Sequence, residues 1–281
     1  MDQKKTDYGN WVPLALMKRL AAIAGALLAG EVLLIVLDGP TALTLLVGGL
    51  LAAAVILWLY MLRCRVLFDF NRGGLMGQVH QYLTDHLPWD GRGTLLDIGC
   101  GSGALTIRCA KRFPNASLVG VDYWGAAWSY AKEQCQQNAA AEGVSHRVRF
   151  QKGDAAHLAF PDETFEAAVS NFVFHEVRTQ PDKREVVREA LRVVKKGGCF
   201  AFQDLFEKES LYGDMTDFLS QLRQAGVQEL HYIPHVERQG FIPAMCRPRG
   251  CSLTWAFCMG GNSLLFPSPP GPGGEGSCAF V

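Results

Sequence analysis

The residues best suited to chemistry in this 281-residue chain gather at one turn, Leu95-Leu96-Asp97-Ile98-Gly99-Cys100-Gly101-Ser102-Gly103. Glycines there let the backbone turn sharply and let a ligand approach where any Cβ would clash. Gly99, Gly101 and Ala104 also satisfy the G-x-G-x-x-[GA] pattern of dinucleotide-binding turns. Two features point to a different ligand. Asp97 stands just before the first glycine, where a carboxylate would meet the cationic amino acid part of a ligand. Gly103 adds a third glycine in G-x-G-x-G spacing. Downstream, Asp122 closes Val119-Gly120-Val121, where an acid can accept both hydroxyls of a ribose under either reading. Tyr123 and Trp124 follow it; an aromatic there could pack on an adenine, and for Trp124 simple packing at a helix start is the equal alternative.

These residues need a scaffold, and the surrounding pattern supplies one. After Arg65, polar helical stretches alternate with short apolar or β-branched runs, the rhythm of a parallel sheet with crossover helices. Strands are predicted at 94–98, 117–121, 148–151, 167–170, 199–203 and near 228–233. Helices are predicted at 73–87, 104–113, 126–142 and 183–194.

Other segments extend the pattern in chain order. Gly153-Asp154-Ala155 ends the third strand, and Phe160-Pro161-Asp162-Glu163-Thr164-Phe165-Glu166-Ala167-Ala168-Val169-Ser170-Asn171 leads into the fourth. Leu191-Arg192-Val193-Val194-Lys195-Lys196-Gly197-Gly198 turns into the fifth, with Lys196 in place of a usual proline. Together with the glycine turn and Val119–Asp122, these segments resemble class I S-adenosylmethionine-dependent methyltransferases over residues 73–245. The similarity is to the small-molecule and lipid enzymes related to quinone C-methyltransferases and sterol methyltransferases. The resemblance implies an α/β fold with a doubly wound, mostly parallel sheet and S-adenosyl-L-methionine at the carboxyl ends of its strands. It implies cofactor contacts from Asp97, Gly99, Gly101, Gly103, Asp122, Tyr123, Asp154, Ala155 and Asn171, with Asp154 reading the adenine amine. His175, just beyond the fourth strand where acceptors bind in this family, becomes the candidate general base, with structural packing as its rival role. Neighbouring Glu176 could orient its ring. His80, His86, His146, His157, His231 and His235 lie in no motif and are expected to be solvated. A tethered S-adenosylmethionine-binding protein without turnover and an NAD-dependent oxidoreductase are the alternatives.

The first sixty residues are of another kind. Leu20–Leu37 is broken only by Glu31, and Thr41–Leu62 has no charge. Twenty-two residues at helical rise span about 33 Å, enough for a bilayer core. Two transmembrane helices are therefore expected ahead of the catalytic fold. Lys4, Lys5, Lys18 and Arg19 precede them, Arg63, Arg65 and Arg72 follow, and the connecting turn has no basic residue, which puts both termini and the domain in the cytosol. Trp11, Trp58 and Tyr60 are candidate interface aromatics, and Gly25 with Ala29 a candidate close-contact pair. The expected domains are 1–19 (cytosolic segment), 20–65 (hairpin), 66–245 (methyltransferase) and 246–281 (tail).

Composition narrows the partners. The 27 basic and 27 acidic side chains cancel, so nucleic acid is not an expected partner; a small-molecule or lipid-like acceptor and a membrane are. Nine cysteines form no C-x-x-C pair and reduced thiols are expected, with no metal site; Cys246, Cys251, Cys258 and Cys278 match no familiar zinc module. From Cys246 the composition shifts: 36 residues hold twelve Gly or Pro and three charges. This tail reads like an out-of-frame translation, with disorder expected at 267–276. Ser252–Met259 alternates and could substitute for a strand; otherwise the sheet edge would be left open.

Overall fold

The computed structural model describes residues 6–70, 74–125, 132–234 and 256–261. Its chain opens with two helices, α1 (Leu14–Val36) and α2 (Thr41–Leu67), joined at Asp38-Gly39-Pro40. Both are long and apolar enough to cross a membrane, and the rest of the protein does not bury them. The first helix begins at Leu14 rather than Leu20, with Pro13 extended ahead of it and its carbonyl accepting from Leu16 N and Met17 N at 3.1 and 3.3 Å. Lys18 and Arg19 therefore lie within it. The expected contact at Gly25 is not made: nothing comes within 4 Å of a Cβ built there. Instead Glu31 Oε1 sits 3.2 Å from the Cβ position of Gly48, so the glycine makes room for the carboxylate between the helices.

The remainder builds on seven strands: β1 (Gly93–Ile98), β2 (Ala116–Asp122), β3 (Val148–Lys152), β4 (Phe165–Asn171), β5 (Val194–Asp204), β6 (Glu229–Ile233) and β7 (Ala256–Gly261). Their order is β3-β2-β1-β4-β5-β7-β6, with β1 to β5 parallel and β7 antiparallel to both its neighbours. Side chains alternate between two cores, as strand geometry requires. Leu95, Ala167, Val169 and Ala201 face one core, together with α3 (Leu75–His86), α4 (Ala104–Arg112) and α5 (Lys132–Ala141). Leu96, Ala168, Phe200 and Phe202 face the other, with α6 (Lys183–Arg192), the short α7 (Glu209–Tyr212) and α8 (Met215–Gln224). The last two helices carried no sequence expectation. Of the helix expected at 126–142, residues 126–131 lie outside the described residues.

Three of the expected features take a definite form. The sheet edge is not open: Ala256–Gly261 fills the slot between β5 and β6, pairing Cys199 to Asp204 on one side and Glu229 to Ile233 on the other. The sheet therefore reaches past residue 245 into the segment expected to be a tail; its remaining residues, with the proposed disorder and the cysteines at 246, 251 and 278, lie outside the described ones. Residues 6–12, within the N-terminal segment expected at 1–19, are bonded to the domain. Asp7 N donates to Asn138 Oδ1 at 2.9 Å, Asn138 Nδ2 donates to Asp7 O at 2.7 Å, and Ser102 Oγ donates to Tyr8 O at 2.9 Å. Trp11, a candidate interface aromatic, is held by ring contacts. It packs on Phe68 (5.1 Å between ring centroids), Phe70 (6.4 Å) and Phe172 (5.2 Å), because this strap of chain passes between the hairpin and the sheet. Asn10 Nδ2 donating to Arg65 O, and Arg65 donating to Val12 O, tie the strap to the end of α2.

Candidate active site

The glycine turn leaves β1 and enters α4 with Gly99, Gly101 and Gly103 all in the left-handed region (φ +75°, +55° and +83°). At Gly99 the demand is absolute: a Cβ would lie 2.2 Å from Val173 Cγ2, on the segment after β4. The turn is held from behind, since the amides of Gly99 and Cys100 donate to Val121 O at 2.7 and 3.0 Å. Asp122, at the end of β2, clasps it from the side. Its Oδ2 accepts from Gly101 N at 2.8 Å and its Oδ1 from Trp124 N at 2.7 Å, and each oxygen keeps a lone pair for a ligand. The Trp124 indole Nε1 donates to Gly101 O at 2.9 Å, so its ring is part of the turn's own bonding. Tyr123 is 60% exposed, with Lys152 Nζ 5.3 Å from its ring centroid.

Asp97 is buried beneath the turn and accepts a hydrogen bond from Thr106 of α4. Burial pushes its carboxyl up to about 7, and the charge of Asp122 adds to the rise. Asp122 is also raised by burial, against the pull of the backbone amides that bond it. Among the described residues no basic side chain is paired with either acid. Two mutually repelling carboxylates beside a glycine cradle, with no internal cation, suit a positively charged nucleoside ligand. S-adenosylmethionine, with its ammonium and sulfonium, fits that donor set.

The other predicted contacts are spread along the same edge of the sheet. Asp154 Oδ1 accepts from Ala156 N at 2.9 Å and Thr179 Oγ1 at 3.0 Å, and Ala155 is half-buried beside the Leu158–Phe165 core; neither bonds the glycine turn. Asn171 ends β4, and its Nδ2 donates to His80 Nε2 at 3.0 Å. His80 is thus not solvated: the inner face of α3 buries it, and burial, with the Arg108 charge, lowers its pKa to about 3.

His175 sits in a one-turn 3-10 segment after β4, bonded through Nδ1 to Asp204 Oδ1 at 2.8 Å. Asp204 ends β5, is fully buried, and also accepts from the amides of Phe174 and Leu205. Burial works to lower the His175 pKa, but the Asp204 hydrogen bond and charge outweigh it and the net shift is upward. Glu176 Oε1 lies farther off, 3.5 Å from Nε2, so Asp204 rather than Glu176 orients the ring. Between these parts Phe172 adopts φ +62°, a strained conformation for an aromatic residue, and stacks edge-on against His175 at 4.9 Å. Sequence reasoning missed Asp204, Gln203, Thr106 and His80. The available signal was that Gln203-Asp204 ends an apolar strand at the same carboxyl edge as Asp97 and Asp122.

Residues 95–198 match a family model described as a methyltransferase domain. The sterol 24-C-methyltransferase of Aspergillus fumigatus is 35% identical over 197 residues, covering 62% of this chain and 47% of that protein. The demethylmenaquinone methyltransferase of Lactiplantibacillus plantarum is 32% identical over 123 residues, 43% of this chain and 46% of that protein. The chain carries an S-adenosylmethionine-dependent methyltransferase domain. That sets the dinucleotide reading of the glycine turn aside. A geranyl diphosphate methyltransferase solved with S-adenosylmethionine shares the fold, with a TM-score of 0.51 at 16% identity, over 75% of this chain and 90% of that one. The chain spans about half the length of these sequence relatives.

Proposed function

We propose that the protein methylates a small, lipid-like acceptor at the cytosolic face of a membrane, with S-adenosylmethionine as donor. The donor supplies a methyl group already activated on sulfur; the protein's share is alignment, charge and exclusion of water. In this reading the Gly99–Gly103 turn receives the amino acid end of the cofactor, opposite the Asp97 and Asp122 carboxylates, and Asp122 takes the ribose hydroxyls. Tyr123, Asp154 and Ala155 form the adenine end, and Asn171 borders the cofactor at β4. His175 takes the proton that the acceptor gives up, with Asp204 holding the Nδ1–H so that Nε2 faces outward as the base. Asp204 is then a positioning residue.

The acceptor class is supported by one observation: an unbroken series of ring contacts from the end of α2 to His175. Phe68 and Phe70 follow α2 directly, Trp11 joins them to Phe172, and Phe172 touches His175. In this reading an apolar molecule leaving the bilayer beside α2 would follow this aromatic series towards the base. The basic residues flanking the helices favour the orientation that puts this path on the cytosolic side. The test is to incubate membranes containing the protein with methyl-labelled S-adenosylmethionine and to separate lipid, protein, nucleic acid and soluble fractions. Label in the lipid fraction is expected; label confined to any other would overturn the acceptor assignment.

A further inference from the structure

Two amide side chains lie next to each other at the carboxyl ends of β4 and β5. Asn171 and Gln203 are in register on these parallel strands, so both side chains leave the same face of the sheet about 4.8 Å apart at the backbone. Gln203 is completely buried, yet among the described residues neither its Oε1 nor its Nε2 has a hydrogen-bond partner. Asn171 Oδ1 is buried and, among the described residues, without a partner as well. Burying an amide with nothing to bond is costly, and native proteins rarely leave both ends of one side chain unmet.

The neighbourhood shows which ligand would complete them. His80 is buried and neutral, and with its Nε2 accepting from Asn171 Nδ2 at 3.0 Å the oxygen is the end of that amide left free. What remains is the pair of donor hydrogens on Gln203 Nε2, the second hydrogen of Asn171 Nδ2, and two acceptor oxygens, one from each amide. An anion would face two carbonyl oxygens with Asp204 next in the chain, and a bare carbonyl would leave both acceptors unused. A hydroxyl matches: it donates to one oxygen and accepts from the Gln203 amide. Phe172 donates its backbone N–H to Gln203 O at 2.8 Å, and Phe70 packs on His80 with centroids 5.4 Å apart. The aromatic path from α2 therefore borders the amide pair on its way to His175.

We infer that Gln203, together with the free oxygen of Asn171 where β4 borders the cofactor, forms the polar end of the acceptor site and binds a hydroxyl group carried on an apolar body. The inference rests on the proposed function for the location of the acceptor, and names the chemical group that site selects. Gln203 sets specificity; it does not take part in the transfer.

The test uses full-length protein in nanodiscs without cofactor, with farnesol as the hydroxyl probe and farnesene as the same body lacking oxygen. Binding is read by calorimetry and by the shift in Tm. Farnesol is expected to bind about tenfold more tightly than farnesene. Gln203→Leu, close in volume, should bring the two to equal affinity. It should also raise the Tm of the unliganded protein, because it removes an unmet buried amide; a glutamine with a purely structural bond would lower it. Equal or absent binding of the two probes by the wild type, a preference that survives Gln203→Leu, or a lower Tm in the variant would overturn the inference. S-adenosylhomocysteine binding is measured separately. Its loss from the wild type would count against the proposed function alone, and its loss only in Gln203→Leu would assign the amide to the cofactor and overturn the inference.

Discussion

The two ends of the functional edge are finished to different degrees. At β1 and β2 the polar groups of the turn are largely met from within: Asp122 holds two amides, Trp124 closes on Gly101, and Thr106 bonds Asp97. What is missing there is charge, since two acids share the site without a cation. At β4 and β5 the reverse holds. The His175–Asp204 pair is strong, but Gln203 and part of Asn171 are unmet, and the Phe172 backbone is strained. One end is a rigid cradle of two acids without a cation, and the other holds buried amides without hydrogen bonds among the described residues. A cradle for one invariant cofactor can be built from the backbone; selection of an acceptor needs side chains held in place by distant parts of the chain.

The largest break in this contrast should come from Gly99→Ala. The left-handed φ and the Val173 contact together should cost ~3 kcal/mol or more, with S-adenosylhomocysteine binding lost in calorimetry. Retained affinity would mean that the turn is more plastic than its geometry implies. At the other end, His175→Ala should lower turnover by ~10²-fold or more while sparing cofactor affinity. The same pair sets a pH dependence. Because the folded His175 pKa is raised, its stabilising contribution is full below the ordinary histidine value and fades as pH rises through the folded one. Asp204→Asn should flatten that part of the stability curve and move the acidic limb of the rate profile to lower pH. A limb that stays in place would remove His175 from catalysis.

Asp97→Asn sharpens the charge argument, with a smaller effect. An acid raised to about 7 stabilises the fold relative to its ionised form at low pH, and that advantage declines between about pH 4 and its folded value. The variant should therefore gain ~1–3 kcal/mol over wild type at pH 8 and little at pH 4, read from Tm, while binding S-adenosylmethionine more weakly. Equal gains at both pH values would show that burial of charge is not what perturbs the acid. The smallest effect is expected for Trp11→Ala. Turnover on a membrane-dissolved acceptor should fall severalfold through lost ring contacts, with cofactor affinity unchanged. If cofactor affinity fell instead, the strap would serve the glycine turn, through Tyr8 and Ser102, rather than the acceptor path.

Local patterns on the chain fixed a good deal. The apolar alternation around Leu95 and Val119, the positive-φ glycines between strand and helix, and the uncharged run from Thr41 each encode their element within a few residues, so composition and spacing sufficed. The cofactor end was legible for the same reason: Asp97, Gly99, Gly101, Gly103 and Asp122 lie within two strand–turn units. Tertiary structure alone decided the rest. Asn138 meets Asp7 across 131 positions, His80 meets Asn171 across 91, and His175 meets Asp204 across 29. Nothing in the neighbouring residues marks such pairs, because only the folded chain lays α3 against the end of β4, sets the segment after β4 on the end of β5, and threads the strap between hairpin and domain. The seventh strand has the same lesson. An atypical segment completes the edge because any extended backbone can supply the hydrogen bonds that β5 and β6 leave open.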